Sequence, residues 1–189
     1  TSKEVAGGGS LIDIGVHALD LALYFLDFPT ISEVSGTARS QFGTREDYAF
    51  VEMWGDDIGP DGFDVDDSVS AFIRTAKGQT ISLDVAWATN RPTNDEFVLR
   101  GTEAGASFDR SSHELTIYED SKTGQDHLTN AEIETRASDT HKAEQRYFID
   151  HIGSETTPER NTVDEGLAVQ RVIDAIYRSS EEGRAISLD

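Results

Sequence analysis

Three glycines and a serine, Gly7-Gly8-Gly9-Ser10, open directly into Leu11–Phe28, the most apolar stretch of the chain. Its length and lack of alternation predict a helix, with Ser10 as N-cap and Pro29 as its stop. Leu11, Ile12, Ile14, Val16, Leu19, Leu21, Leu23, Phe25 and Leu26 make it apolar almost all round, the pattern of a buried helix. The interior exceptions are Asp13, His17, Asp20 and Tyr24. On an α-helix they fall within a stripe roughly 60° wide. Buried without partners, such groups would cost several kcal/mol, so the stripe must face something polar.

Two readings of the stripe stand. In one it lines a ligand site, where Asp13 and His17, one turn apart, hydrogen-bond a small molecule or each other. A carboxylate beside an imidazole orients it and suits it to proton transfer. In the other it is a satisfied core network, with Asp13 or Asp20 pairing an arginine or capping a neighbouring element. The glycines favour the first, because they permit close backbone approach and offer free N–H groups to an anion or cofactor at a helix start.

Composition removes whole classes. The chain has 189 residues and no cysteine, which excludes disulfides, iron–sulfur clusters, thiolate zinc sites and a cysteine nucleophile. The length suits one domain or a domain and a half, and a chain of this size buries roughly 70% of its unfolded surface. Acidic residues number 36 against 16 basic ones, for a net charge of −20. The basic residues are scattered, so no nucleic-acid partner is expected. The charge exceeds the roughly 2–8 usual for a small domain, and 12 Arg accompany only 4 Lys. That balance fits a halophilic protein, its self-repulsion screened in a high-salt cytoplasm. Apolar stretches are broken by Asp or His short of about 18 residues, and no secretory signal opens the chain, so no membrane association is expected.

Ile31–Phe42 alternates and reads as a strand with a small-residue face of Val34, Gly36, Ala38 and Ser40. Tyr48–Trp54 reads as another strand and Gly55–Asp64 as a loop. Asp67–Thr75 and Gln79–Thr89, joined at Gly78, form a predicted hairpin. Glu96–Gly101, Ala106–Asp109 and Leu115–Glu119 continue the strands. Thr140–Ile152 reads as a half-buried helix. Thr162-Val163-Asp164-Glu165 has the form of a capping box, starting a helix that Gly183 ends, and Ala185–Leu188 suits a last strand. The expected fold is α+β, a mostly antiparallel open-faced sheet with helices on one face, forming a single domain over 1–189.

Other motifs fail. Asp57–Gly62 resembles the start of a calcium loop, but Gly59 and Ser68 stand where carboxylates are needed. His141 with Glu144 lies on a solvated helix, and no metal site is assigned. Gly-x-Ser-x-Gly, Gly-x-Gly-x-x-Gly and Gly-x-x-x-x-Gly-Lys are all absent, so no residue of this chain is assigned to cofactor binding.

The run from Gly7 to Asp20, Gly-Gly-Gly-Ser-Leu-Ile-Asp-Ile-Gly-Val-His-Ala-Leu-Asp, closely resembles the signature opening the C-terminal domain of the Gfo/Idh/MocA oxidoreductases. Asp66-Asp67 before a strand, a hairpin ending near Trp87, Gly101–Gly105, and the stretch from Asp164 to Leu188 extend the resemblance over nearly the whole chain. It implies a dihydrodipicolinate-reductase-like domain that supplies the substrate side of a cleft and subunit contacts. NAD or NADP would be held by an N-terminal Rossmann domain not contained in this chain. By the same resemblance His17 is the general acid/base, and Asp13 orients the substrate hydroxyl and meets a lysine of the cofactor domain. Asp20 and Tyr24 are supporting or structural.

The expectation is thus the substrate half of an NAD(P)-dependent dehydrogenase acting on a sugar, inositol or related polyol, inactive in isolation. A homo-oligomer through the open sheet is expected, since an exposed sheet face calls for a cover. The alternatives are a non-catalytic assembly module and a metal-dependent isomerase or hydrolase with Asp13 and His17 as ligands.

Overall fold

The computed structural model describes residues 2–46, 62–92, 94–120, 128–134, 139–154 and 156–188. Helix α1 (Lys3–Ala6) is one turn long. Leu11–Gly15 winds as a π-helical turn and runs straight into α2 (Val16–Phe25). Positive φ at Asp27 and Phe28 ends the helix just before Pro29. The stretch Lys3–Phe25 is apolar and long enough to cross a membrane by length and composition, contrary to the expectation that polar residues would interrupt it. In the fold it is a core element: Leu11, Leu19 and Leu23 are fully buried.

The expected antiparallel α+β arrangement holds, and the strands divide between two four-stranded sheets. They belong to two compact units, residues 1–90 with 159–189, and residues 91–158. In the first unit β1 (Ile31–Arg39), β2 (Ser68–Thr75), β3 (Thr80–Ala86) and β8 (Ile186–Ser187) order as β3-β2-β1-β8. The register stacks three apolar rows on one face: Val34–Ile73–Ile81, Gly36–Ala71–Leu83 and Ala38–Val69–Val85. This face joins α2 and α4 (Val163–Glu182) in one core, with Leu19, Leu23, Val172, Ile173 and Ile176 at its centre.

The small-residue face of β1 exists to admit α4. A Cβ on Gly36 would lie 2.8 Å from Ile176 Cγ2. Past the two-residue β8, the edge of β1 is capped by α4 itself: Gly36 N–H donates to Ser179 Oγ and Ala38 N–H to Ser180 Oγ, each at 2.9 Å. The capping box is present, with Thr162 and Glu165 satisfying each other's backbone N–H, and Gly183 caps the C-terminus at φ 63°. The opposite face of this sheet carries Ser35, Thr37, Ser70, Ser82 and Asp84, with Phe72 lying under the Arg74 guanidinium.

The second unit holds β4 (Glu96–Arg100), β5 (Ala104–Asp109), β6 (Glu114–Asp120), β7 (Leu128–Ile133) and α3 (Thr140–Ser154). Strand β7 was not expected from the sequence. Helix α3 is longer and more exposed than the expected half-buried helix, with Phe148 and Ile149 each 65% accessible. The strand expected at 48–54 and the loop resembling a calcium site lie outside the described residues, apart from Gly62 onward. Because α4 seats on Gly36, replacing Gly36 with Val should cost about 1–3 kcal/mol by overpacking, read as a lower urea midpoint at unchanged slope.

Candidate active site

The site is built on the N-terminal end of α2, and a carboxylate far away in sequence fixes that end. Asp66 Oδ1 accepts from Gly9 N–H at 2.9 Å and from the Tyr177 hydroxyl at 2.7 Å. Its Oδ2 accepts from the Ser10 hydroxyl at 2.8 Å and Leu11 N–H at 2.9 Å. The Asp66 carbonyl accepts from Ser10 N–H at 2.9 Å. A Cβ on Gly9 would sit 1.9 Å from that carbonyl oxygen, so the close approach requires glycine there. Ser10 is therefore not the N-cap; it is already helical and its own hydroxyl donates to Asp66. Nor does Gly9 offer its N–H to an outside anion: the anion at this helix start is Asp66.

Burial is the largest single influence on Asp66 and pushes its carboxyl up, but the hydrogen bonds from Leu11, Tyr177, Ser10 and Gly9 together outweigh it and hold it below the usual carboxylate range. Burial and the neighbouring Asp66 charge drive the Tyr177 hydroxyl far above its ordinary value, so it stays a donor.

Asp67, next in the chain and fully buried, makes a second clamp. Its Oδ2 accepts from the N–H groups of Gln41, Phe42 and Gly43 at 2.7, 2.6 and 3.0 Å. Its carbonyl accepts from Trp87 N–H at 2.9 Å. Trp87, just past β3, stands with Phe63 edge-on at 6.3 Å and sends its indole N–H to Asp13 Oδ2 at 2.9 Å.

The polar stripe is where the sequence placed it, but it faces outward. Asp13, His17, Asp20 and Tyr24 are all exposed, while Leu11, Gly15, Leu19 and Leu23 form the buried side. The helix is thus one-sided rather than buried all round, and the core-network reading fails for Asp13 and His17. Asp13 takes its hydrogen bond from Trp87 and not from His17. Among the described residues no hydrogen bond holds the His17 imidazole. Partial loss of water raises the Asp20 carboxyl, the Glu165 charge at the start of α4 adds to it, and His17 opposes both. Asp13 lies on the π-helical turn, a winding that recurs at functional sites.

An outward carboxylate beside an outward imidazole can bind a hydroxyl and take its proton. At this helix start the Gly9 and Leu11 N–H groups are already taken by the Asp66 carboxylate. Among the described residues no three His, Asp or Glu side chains converge as metal ligands. Sequence reading missed the Asp66 and Asp67 clamps and the Trp87 bond; two adjacent acids between Val65 and Ser68, at the start of a strand, were the available signal.

Residues 1–107 match the family model for the GFO/IDH/MocA C-terminal domain. Over 188 residues the chain is 27% identical to the D-glucoside 3-dehydrogenase of Escherichia coli (strain K12), covering 100% of this chain and 51% of that protein. Over 92 residues it is 33% identical to the putative UDP-kanosamine synthase oxidoreductase subunit of Amycolatopsis mediterranei (strain S699), covering 48% of this chain and 25% of that protein. Levoglucosan dehydrogenase in complex with NADH superposes with a TM-score of 0.79 at 21% identity, over 99% of this chain and 52% of that one. Aldose-aldose oxidoreductase from Caulobacter crescentus, complexed with glycerol, gives 0.73 at 23% identity, over 98% of this chain and 49% of that one. At those identities the structural likeness shows the fold.

Asp66 contributes stability with a definite sign. Its folded-state value lies below the unfolded one of about 4, so its contribution is complete above pH 4 and is lost as pH falls through the depressed value. Asp66→Asn should cost about 2–3 kcal/mol at pH 7 and flatten that acid limb, as measured by urea unfolding at a series of pH values.

Proposed function

The chain belongs to the GFO/IDH/MocA C-terminal domain family, and on that basis we propose that it is the substrate-side half of an NAD(P)-dependent oxidoreductase acting on a CH–OH group of a sugar or related polyol. The observation that carries the reading is the outward pairing of Asp13 and His17 on one helix, in a chain spanning about half the length of sugar-oxidising relatives. A nicotinamide, held by a part of the protein outside this chain, would supply the hydride acceptor.

His17 takes the hydroxyl proton as the carbinol carbon is oxidised to a carbonyl, and returns it in the reverse direction. The imidazole is exposed, so a substrate hydroxyl can reach it and the proton can pass on to solvent. Asp13 accepts a hydrogen bond from the same or a neighbouring hydroxyl through Oδ1, its other oxygen being held by Trp87. In this reading the cofactor is held outside this chain, so the isolated chain is inactive. In the full-length protein, His17→Ala should lower turnover by about 100-fold or more while leaving the assembly intact. Unchanged turnover would support the assembly-module reading instead.

We also propose self-association through the second unit. Its cross-strand rows place Phe97, Phe108, Leu115 and Ile133 beside Leu99 and Ile117 on one sheet face. Ile133 is exposed and the other five are half-buried, and we take this partly uncovered apolar face as the interaction surface. Light scattering should give a dimer or tetramer, and Ile117→Lys should shift it toward monomer; a wild-type monomer would refute the proposal.

A further inference from the structure

We propose that Trp87 is a positioning residue for Asp13: its indole N–H fixes Oδ2 so that Oδ1 is presented to the substrate hydroxyl. This rests on the catalytic reading of Asp13 and His17. A carboxylate's terminal torsion is broad and nearly two-fold, so an exposed aspartate does not choose one oxygen by itself. The indole nitrogen is a donor only and keeps its proton at every working pH, so the orientation it imposes does not titrate away.

Trp87 is itself restrained from two sides. Its backbone N–H is bound to the carbonyl of the fully buried Asp67, at 2.9 Å. Phe63 meets its ring at an interplanar angle of 80°. The bond to Asp13, at 2.9 Å, is not needed to satisfy a buried group, because Asp13 is exposed and water would serve it equally well. Holding an exposed carboxylate in one orientation also costs side-chain entropy. What the bond secures is direction: the carboxylate is held on the same helix face as His17, with one oxygen committed and one available. The contact joins positions 74 residues apart, so the hairpin end and the helix are set as one unit.

The test uses the full-length protein. Trp87→Phe keeps an aromatic ring beside Phe63 but removes the N–H. It should lower kcat about 10- to 100-fold with little change in KM. The second readout leaves Trp87 in place: its indole 1H–15N resonance, identified by its loss in Trp87→Phe, should move on Asp13→Ala and stay put on Thr37→Ala, on the far face of the sheet. A resonance indifferent to Asp13→Ala would overturn the pairing. Wild-type kcat in Trp87→Phe, with turnover abolished in His17→Ala, would overturn the positioning role while leaving the catalytic reading intact. Undiminished turnover in His17→Ala would instead bring down the reading beneath it, and the proposal with it.

Discussion

Asp66 is the carboxylate on which the first unit is threaded. Four donors reach it: two from the glycine turn and Leu11, one from the Ser10 hydroxyl and one from Tyr177 of α4. A helix start leaves several N–H groups unpaired, and a buried anion there satisfies them while the helix dipole favours its charge. Helix α2 is therefore anchored to the strand that follows Asp66 and to α4 at once. Gly9 serves that approach by letting backbone meet backbone, and Gly8 leaves room for the Tyr177 hydroxyl.

Adjacent Asp67 extends the same logic toward the site. It gathers three N–H groups of the turn after β1 and holds Trp87 by its backbone. Trp87 in turn reaches Asp13. Two consecutive acids thus set opposite ends of the apparatus, one the start of the helix and the other a side chain upon it. Substrate-facing groups placed on rigid elements in this way need little reorganisation when a ligand arrives.

Much of the layout was legible from short-range pattern. The β2–β3 hairpin, the Thr162 capping box, the Gly183 terminus and the one-sided spacing of Asp13, His17, Asp20 and Tyr24 all follow from local rules. What was not legible depends on distant pairing. The Gly9–Asp66 contact spans 57 positions, so Gly9 reads as part of an outward anion cradle when its N–H is turned to an inward one. Strand β7 has only a weak alternation, with Thr129, Ala131 and Ile133 on one face. The division of strands between two sheets is decided by which edges find partners, which composition does not encode. The π-helical turn and α2 looked buried because their apolar residues outnumber the polar ones, yet Ile14, Tyr24 and Phe25 stay substantially exposed on the outer side.

That outer side is the feature the functional reading depends on. Apolar side chains left in water beside a carboxylate and an imidazole describe a surface that works against something else. A crystal structure of the full-length protein with a bound sugar measures this most directly. A carbinol oxygen about 3 Å from both the His17 ring and Asp13 Oδ1 is the predicted result. A sugar bound elsewhere, with His17 and Asp13 still facing only water, would contradict it.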